Sequence, residues 1–174
     1  MIEHKIATQW PATMLLAIAM TVLGSNSAVH AQSMEDIAAG RQIFLQKADC
    51  KACHGWAGDG RKMDEQMPDG ANLRESPIDR ETLIKTVKCG RPGTGMPAFD
   101  RLAYSDGRCF GLKRADLLAR GLVPPDPPAT LAPNEVELLA DFLFAKVIGK
   151  GPMDHATCID YWGSDLPVCN EVGK

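Results

Sequence analysis

Cys50-Lys51-Ala52-Cys53-His54 decides how the rest of this chain is read. Two thiols spaced by two residues, with a histidine directly after the second, form the attachment pattern for a c-type haem. The spacing has a mechanical basis. Each sulfur adds to one vinyl group of the porphyrin, and the intervening pair lets the backbone span the ring edge. His54 then falls beneath the iron, where a neutral imidazole nitrogen serves as the proximal ligand. A redox dithiol has no use for His54, and a zinc site needs a second Cys/His pair at finger spacing, which this chain lacks. The motif implies one covalent haem c on Cys50 and Cys53.

Upstream, an apolar stretch from Ala12 to Leu23 follows a short polar start in which Glu3 offsets Lys5. Ala28-Val29-His30-Ala31 puts small residues at the cleavage-determining positions, so 1–31 reads as a secretory signal cleaved near Ala31. There is no twin arginine, which points to the general export route and a periplasmic location. The apolar run is shorter than the ~18 residues of a spanning helix, and no later stretch replaces it, so stable membrane insertion is not expected. Without the leader, 174 − 31 = 143 residues remain, enough for one domain with one core. The leader holds one acid and one base, so the net charge stays at −3, which argues against nucleic acid as a partner.

Six cysteines are many for this length, and haem accounts for two. Cys89, Cys109, Cys158 and Cys169 form an even set in an exported protein, which implies two disulfides with three connectivities. Nearest-neighbour pairing, Cys89 with Cys109 and Cys158 with Cys169, is the expectation. The residues alone leave the other pairings open.

Working along the chain, Ser33-Met34-Glu35-Asp36 reads as an N-cap followed by early acids. It predicts a helix carrying Ile37, Gly40 and Phe44 at helical spacing, with Ile43 alongside, running to Lys47. Gly55 to Pro77 reads as irregular loop. Asp79 is expected to cap a helix with Leu83, Ile84 and Val87 on one face and Gly90 as its stop. A short helix is expected from Lys113 to Arg120, ended by Gly121. Val123 to Pro133 reads as a stiff connector. The last strong helix starts near Pro133-Asn134 and carries Val136, Leu139, Ala140, Leu143 and Val147. Beyond Gly149 comes a glycine-broken tail. No run alternates at period two, so the expected class is all-α.

A haem with two protein ligands usually shuttles electrons, whereas one open position allows binding or activation of small molecules. Met96 is the best candidate for the second ligand. It lies 96 − 54 = 42 residues beyond His54, in a Gly-Thr-Gly-Met-Pro turn. The glycines let the main chain approach a flat ring, and Pro97 stiffens the backbone after the methionine. Met63 and Met67 sit close behind His54 in sequence, and Met153 and His155 lie in the tail, so all four are weaker candidates.

These pieces together resemble a class I monohaem cytochrome c. The resemblance rests on Gly40 and Phe44, on Cys50-Lys51-Ala52-Cys53-His54-Gly55, and on Gly95-Met96-Pro97, and it runs from about residue 34 to 148. It implies the all-α cytochrome c fold, helices wrapped around one haem, with the first and last helices crossing. Gly40 would permit the close approach there, and Phe44 would pack with Phe142 or Leu143. The domain organisation becomes a signal at 1–31, a cytochrome c domain at 32–150 with an insertion at about 101–132, and a C-terminal extension at 151–174. A Cys89–Cys109 bridge would bracket Met96. A Cys158–Cys169 bridge would close a tail loop whose Tyr161 and Trp162 read as packing.

Several residues keep two readings. Trp56 either meets the haem edge or closes the core, and Arg91 either pairs with a propionate or stays solvated. Lys47, Lys51, Lys85, Lys88 and Arg91 are scattered solvated cations or a positive docking ring. The expected function is that of a one-electron carrier, not an enzyme, with His54 and Met96 on the iron. It would pass electrons between a periplasmic dehydrogenase and an oxidase or other cytochrome. As a monomer it would dock transiently, over less than ~1,200 Å². Two alternatives are a haem enzyme or gas-binding sensor with an open iron site, and a fixed haem subunit of a dehydrogenase complex.

Overall fold

The structure, a computed structural model, describes residues 25–173, with side chains from Ser33 onward. Most of the expected leader lies outside the described residues. In chain order the helices are α1 (Ser25–Gln42), α2 (Lys51–His54), α3 (Arg80–Cys89), α4 (Arg114–Arg120), α5 (Pro133–Lys146) and α6 (His155–Trp162). A π-helical turn occupies Ile43–Lys47, and 3-10 turns occupy Leu73–Glu75 and Pro167–Asn170. Among the described residues there is no strand, only an isolated antiparallel bridge between Cys109 and Leu112. The fold is all-α.

Local chemistry accounts for most helix ends. The Asp79 carboxylate accepts from the Thr82 amide at 2.8 Å and opens α3, and Gly90, at φ 62°, closes it. The Lys113 amide donates to Asp116 at 2.8 Å before α4, and Gly121 ends that helix in the left-handed region. The Ala132 amide donates to Glu135 at 2.9 Å ahead of Pro133 at the start of α5. Ser33 is the exception. It lies inside α1, which already runs through it from Ser25, and not at the start of a helix. No proline or glycine lies between Ser25 and Ser33 to stop the helix.

The compact unit from Glu35 to the C-terminus is built on a crossing of α1 and α5. A Cβ on Gly40 would run into the Leu138 carbonyl and lie 2.6 Å from Phe142 Cβ, so the two backbones touch at this point. One turn later Phe44 and Phe142 meet with ring centroids 5.8 Å apart. Leu83 and Val87 of α3, Phe99, Val136, Leu139 and Leu143 of α5, and Val147 just after it complete the core with them. Each such side chain contributes about 1.5–3 kcal/mol by leaving water.

The tail is more ordered than its glycines suggest. Asp154 accepts from the Thr157 amide at 2.7 Å and starts α6, a helix the sequence reading did not anticipate. Tyr161 of α6 is buried in the main core. Arg41 of α1 donates through Nη1 to the Tyr161 and Trp162 carbonyls at 2.8 and 3.0 Å, and its guanidinium lies 5.2 Å from the Trp162 ring centroid. Cys158 and Cys169 are joined and buried. Arg74, 1% exposed, donates to the carbonyls of Gly151 and of Lys146 at the C-terminal end of α5. A buried guanidinium is tolerated there because it meets the negative end of the helix.

Cys89 and Cys109 are also joined, and with Ala103 they form a second, small apolar cluster. This ties the segment after the methionine turn to the end of α3. The Gly93 amide donates to the Leu122 carbonyl at 3.1 Å, and the Leu131 amide to the Phe99 carbonyl at 2.9 Å, so residues 101–132 are hydrogen-bonded to the stretch that holds Met96.

Candidate functional site

The Cys-X-X-Cys-His stretch folds as a single helical turn, with the His54 amide donating to the Cys50 carbonyl at 2.9 Å. Residues three and four apart share a helix face, so Cys50, Cys53 and His54 are presented together. Asp49 in the left-handed region at φ 48° redirects the chain into the turn, and Gly55 at φ 76° takes it out. A Cβ on Gly55 would lie 2.6 Å from the Arg61 carbonyl and the Asp59 carboxylate. Glycine is required here.

This turn forms one wall of a cavity of about 600 Å³. Cys50, Cys53, His54 and Met96 all line it, and Phe44, Leu83, Val87, Phe99, Leu139 and Leu143 give it apolar walls. Neither Cys50 nor Cys53 takes part in a disulfide. Burial pushes the Cys50 thiol up to about 12 and raises Cys53 as well, so the pair are neutral thiols and not a reactive thiolate couple.

His54 is oriented from behind. Its Nδ1 lies 2.8 Å from the Ala71 carbonyl oxygen, which leaves Nε2 as the nitrogen that could hold a metal. Burial lowers its pKa, with Arg91 adding to the effect and the Ala71 contact opposing it, so the ring is an uncharged imidazole at neutral pH. Gly70 makes this fit possible. A Cβ there would lie 2.7 Å from the Cys53 carbonyl and 2.8 Å from His54 Nδ1.

Met96 comes from a closed loop in the stretch between α3 and α4. The Arg91 amide donates to the Met96 carbonyl at 3.2 Å, and the Met96 amide donates to Thr94 Oγ1 at 3.2 Å. Thr94 Oγ1 in turn donates to the Arg91 carbonyl at 2.8 Å. Gly90 backs directly onto the loop, since a Cβ there would sit 2.7 Å from the Met96 carbonyl oxygen. On the other side a Cβ on Gly95 would strike the Pro68 ring.

The remaining candidates separate cleanly. Met67 lines the cavity, whereas Met63 is exposed and does not. His155 lies 3.2 Å from Asp165 and is no part of the cavity wall. Trp56 stacks on Trp162 at 5.8 Å and closes the core. Arg91 lines the cavity. Of the lysines, Lys47 pairs with Glu135, Lys51 with Asp49, and Lys85 lies over the Phe110 ring. The sequence reading missed Pro68, Gly70 and Ala71. Only Gly70 carried a signal, a glycine in a loop soon after the histidine; Ala71 acts through its backbone, which no side-chain pattern reveals.

The donor set fits a covalent haem: two neutral thiols, an uncharged imidazole held from behind, a thioether in a fixed loop, and apolar walls. Neither a curated protein nor a solved structure matches this chain. A family model described as "Cytochrome C oxidase, cbb3-type, subunit III" matches residues 35–108, a stretch that contains both the Cys50–His54 motif and Met96. Domains of this kind bind haem c covalently and carry electrons. Motif, helical fold and matched stretch agree, and over residues 35–108 this chain is similar to c-type cytochromes of class I.

Proposed function

We propose that this protein is an exported electron carrier with one haem c, bonded through Cys50 and Cys53 and ligated by His54 and Met96. The observation that carries the reading is the cavity of about 600 Å³ on which all four side chains converge, although 42 residues separate His54 from Met96. When bound, the group supplies a one-electron couple at iron. The chain's own residues bind, orient and shield it. Cys50 and Cys53 fix the ring covalently. His54, kept uncharged and aimed by the Ala71 carbonyl, offers Nε2. The Met96 thioether is soft and neutral, which favours the ferrous state and raises the potential. The apolar walls keep water away, and no residue has to act as acid, base or nucleophile.

Export is supported by the leader pattern at 1–31 and by disulfides that suit an oxidising compartment. Among the described residues no helix is long and apolar enough to cross a membrane. The organisation that accompanies this reading is a leader at 1–31, a cytochrome c domain at 32–150 interrupted at about 101–132, and an extension at 151–174. Electrons would pass from a periplasmic dehydrogenase to an oxidase or another cytochrome, in transient encounters of a monomer. The description of the matching family model names an oxidase subunit and favours a second reading, a haem subunit held permanently in such a complex.

Absorption spectra of both oxidation states, with Met96→Ala beside the wild type, test the ligand set. The wild type should be low-spin with the weak sulfur-to-iron band near the red edge. The variant should lose that band and bind carbon monoxide when reduced. High-spin ferric iron in the wild type would instead make it an open-site haem protein. Sedimentation of the purified protein separates carrier from subunit: a monomer that cycles reversibly is a carrier.

A further inference from the structure

Phe110 adopts left-handed backbone at φ 58°, followed by Gly111 at φ 71°, in a two-residue turn closed by the Cys109–Leu112 bridge. Such turns favour Asn-Gly or Gly-Gly, because a Cβ in the left-handed region is crowded and a bulky ring there is a true outlier. Nothing in the interior compensates. The ring is 48% exposed, and its neighbour is the Lys85 ammonium, 5.2 Å from the centroid. Backbone strain that the fold does not use points to function.

The turn is also rigidly placed. Cys109 is bonded to Cys89, the last residue of α3, and α3 contributes Leu83, Thr86 and Val87 to the wall of the candidate haem cavity. The aromatic is therefore fixed beside the helix that lines the cavity. The charge of its segment runs against that of the whole chain. Residues 101–132 hold five Lys or Arg against three Asp, net +2, on a chain of net −3. Asp100 and Asp106, on the stretch leading to the turn, are both engaged by Arg108. Leu102 and Leu118 are exposed in the same segment. An exposed, fixed aromatic under a lysine, in a segment that also exposes two leucines and carries net positive charge, has the composition of a protein-docking hot spot, and that charge selects an acidic face.

We propose that Phe110 anchors a docking site for a redox-partner protein with an acidic face, a role that rests on the electron-carrier reading above. The partner's contribution is an apolar pocket for the ring, rimmed by carboxylates that meet Lys85 and the insertion's cations.

The test uses the full haem-loaded chain, reduced either by a periplasmic extract of the cell that makes it or by ascorbate. Phe110→Gly removes the ring and relieves the turn, so its thermal midpoint should equal or exceed that of the wild type. Its extract-driven reduction should slow by about tenfold or more, while ascorbate reduces both forms at the same rate. Lys85→Glu should slow the extract-driven rate less and flatten its dependence on salt. Extract-driven rates within about twofold for Phe110→Gly and wild type would overturn the docking role and leave the carrier reading intact. A wild-type dimer that Phe110→Gly abolishes would make the occupant a second copy of this chain and overturn the proposal. If the extract fails to reduce the wild type while ascorbate succeeds, the carrier reading fails, and the docking role with it.

Discussion

The Tyr161 hydroxyl donates to the Trp56 carbonyl at 2.7 Å, joining α6 to the loop two residues beyond His54. Phe142 and Trp56 both meet the Tyr161 ring edge-on, at 5.6 and 5.5 Å. The tail helix is thus packed onto the element that carries the haem motif. Tyr161→Phe leaves the half-buried Trp56 carbonyl without its donor and should cost about 1 kcal/mol. Tyr161→Ala removes the ring as well and should cost about 3–5 kcal/mol. Guanidinium denaturation of the haem-loaded protein measures both, and an alanine cost below about 1 kcal/mol would show that the tail is dispensable.

Gly90 and Gly95 hold the Met96 loop between α3 and Pro68. Gly90→Ala combines a positive φ of 62° with a backbone collision, so it should destabilise by more than about 1 kcal/mol. Gly95→Ala has a proline ring to displace. Both variants should weaken the sulfur-to-iron band and lower the midpoint potential. An undiminished band in both would mean that the loop tolerates the shift.

The Cys89–Cys109 bridge spans 20 residues with Met96 among them. Replacing both cysteines by serine should cost roughly 2–4 kcal/mol by freeing the unfolded chain. Because the insertion hydrogen-bonds the methionine turn, the sulfur ligand should be lost at lower denaturant than the Soret band of attached haem. Simultaneous loss of both signals would indicate one cooperative unit and count against a local role.

Acid should weaken the fold through named carboxylates. Hydrogen bonds from the Arg108 side chain hold Asp106 down at about 2, from an ordinary 3.8. Asp79 and Asp154 are lowered by their Thr82 and Thr157 cap bonds, and Glu135 by Lys47. A group whose pKa falls on folding adds stability above its unfolded value and loses it as pH drops through the folded one. The Tm should therefore hold above pH ~5 and fall between about pH 4 and 2. Asp106→Asn should reduce that fall slightly, since the pair is solvent-exposed. A Tm that rises on acidification would contradict the assignment.

The short-range features were legible in the residues. Asp79 with Gly90, Gly121 after α4, and Pro133 at the head of α5 are one-turn effects: the Asp79 carboxylate accepts from an amide three residues on, the glycines turn the chain out of the helix, and the proline suits a first turn. The Cys50–His54 spacing belongs to the same class, because covalent geometry over five residues is nearly independent of the fold. α6 was hidden because its eight residues lie between glycines and owe their order to Tyr161, Arg41 and a disulfide.

The order of residues was enough to specify the chemistry a haem requires and the helices that local caps define. Only packing put Met96 in one cavity with His54, brought the Ala71 carbonyl behind the imidazole, and left Phe110 strained and uncovered beside α3. The reason is one of range. Caps and motifs act across a few bonds, whereas cavity, ligand pairing and exposed anchor depend on distant chain segments that meet only in the folded molecule.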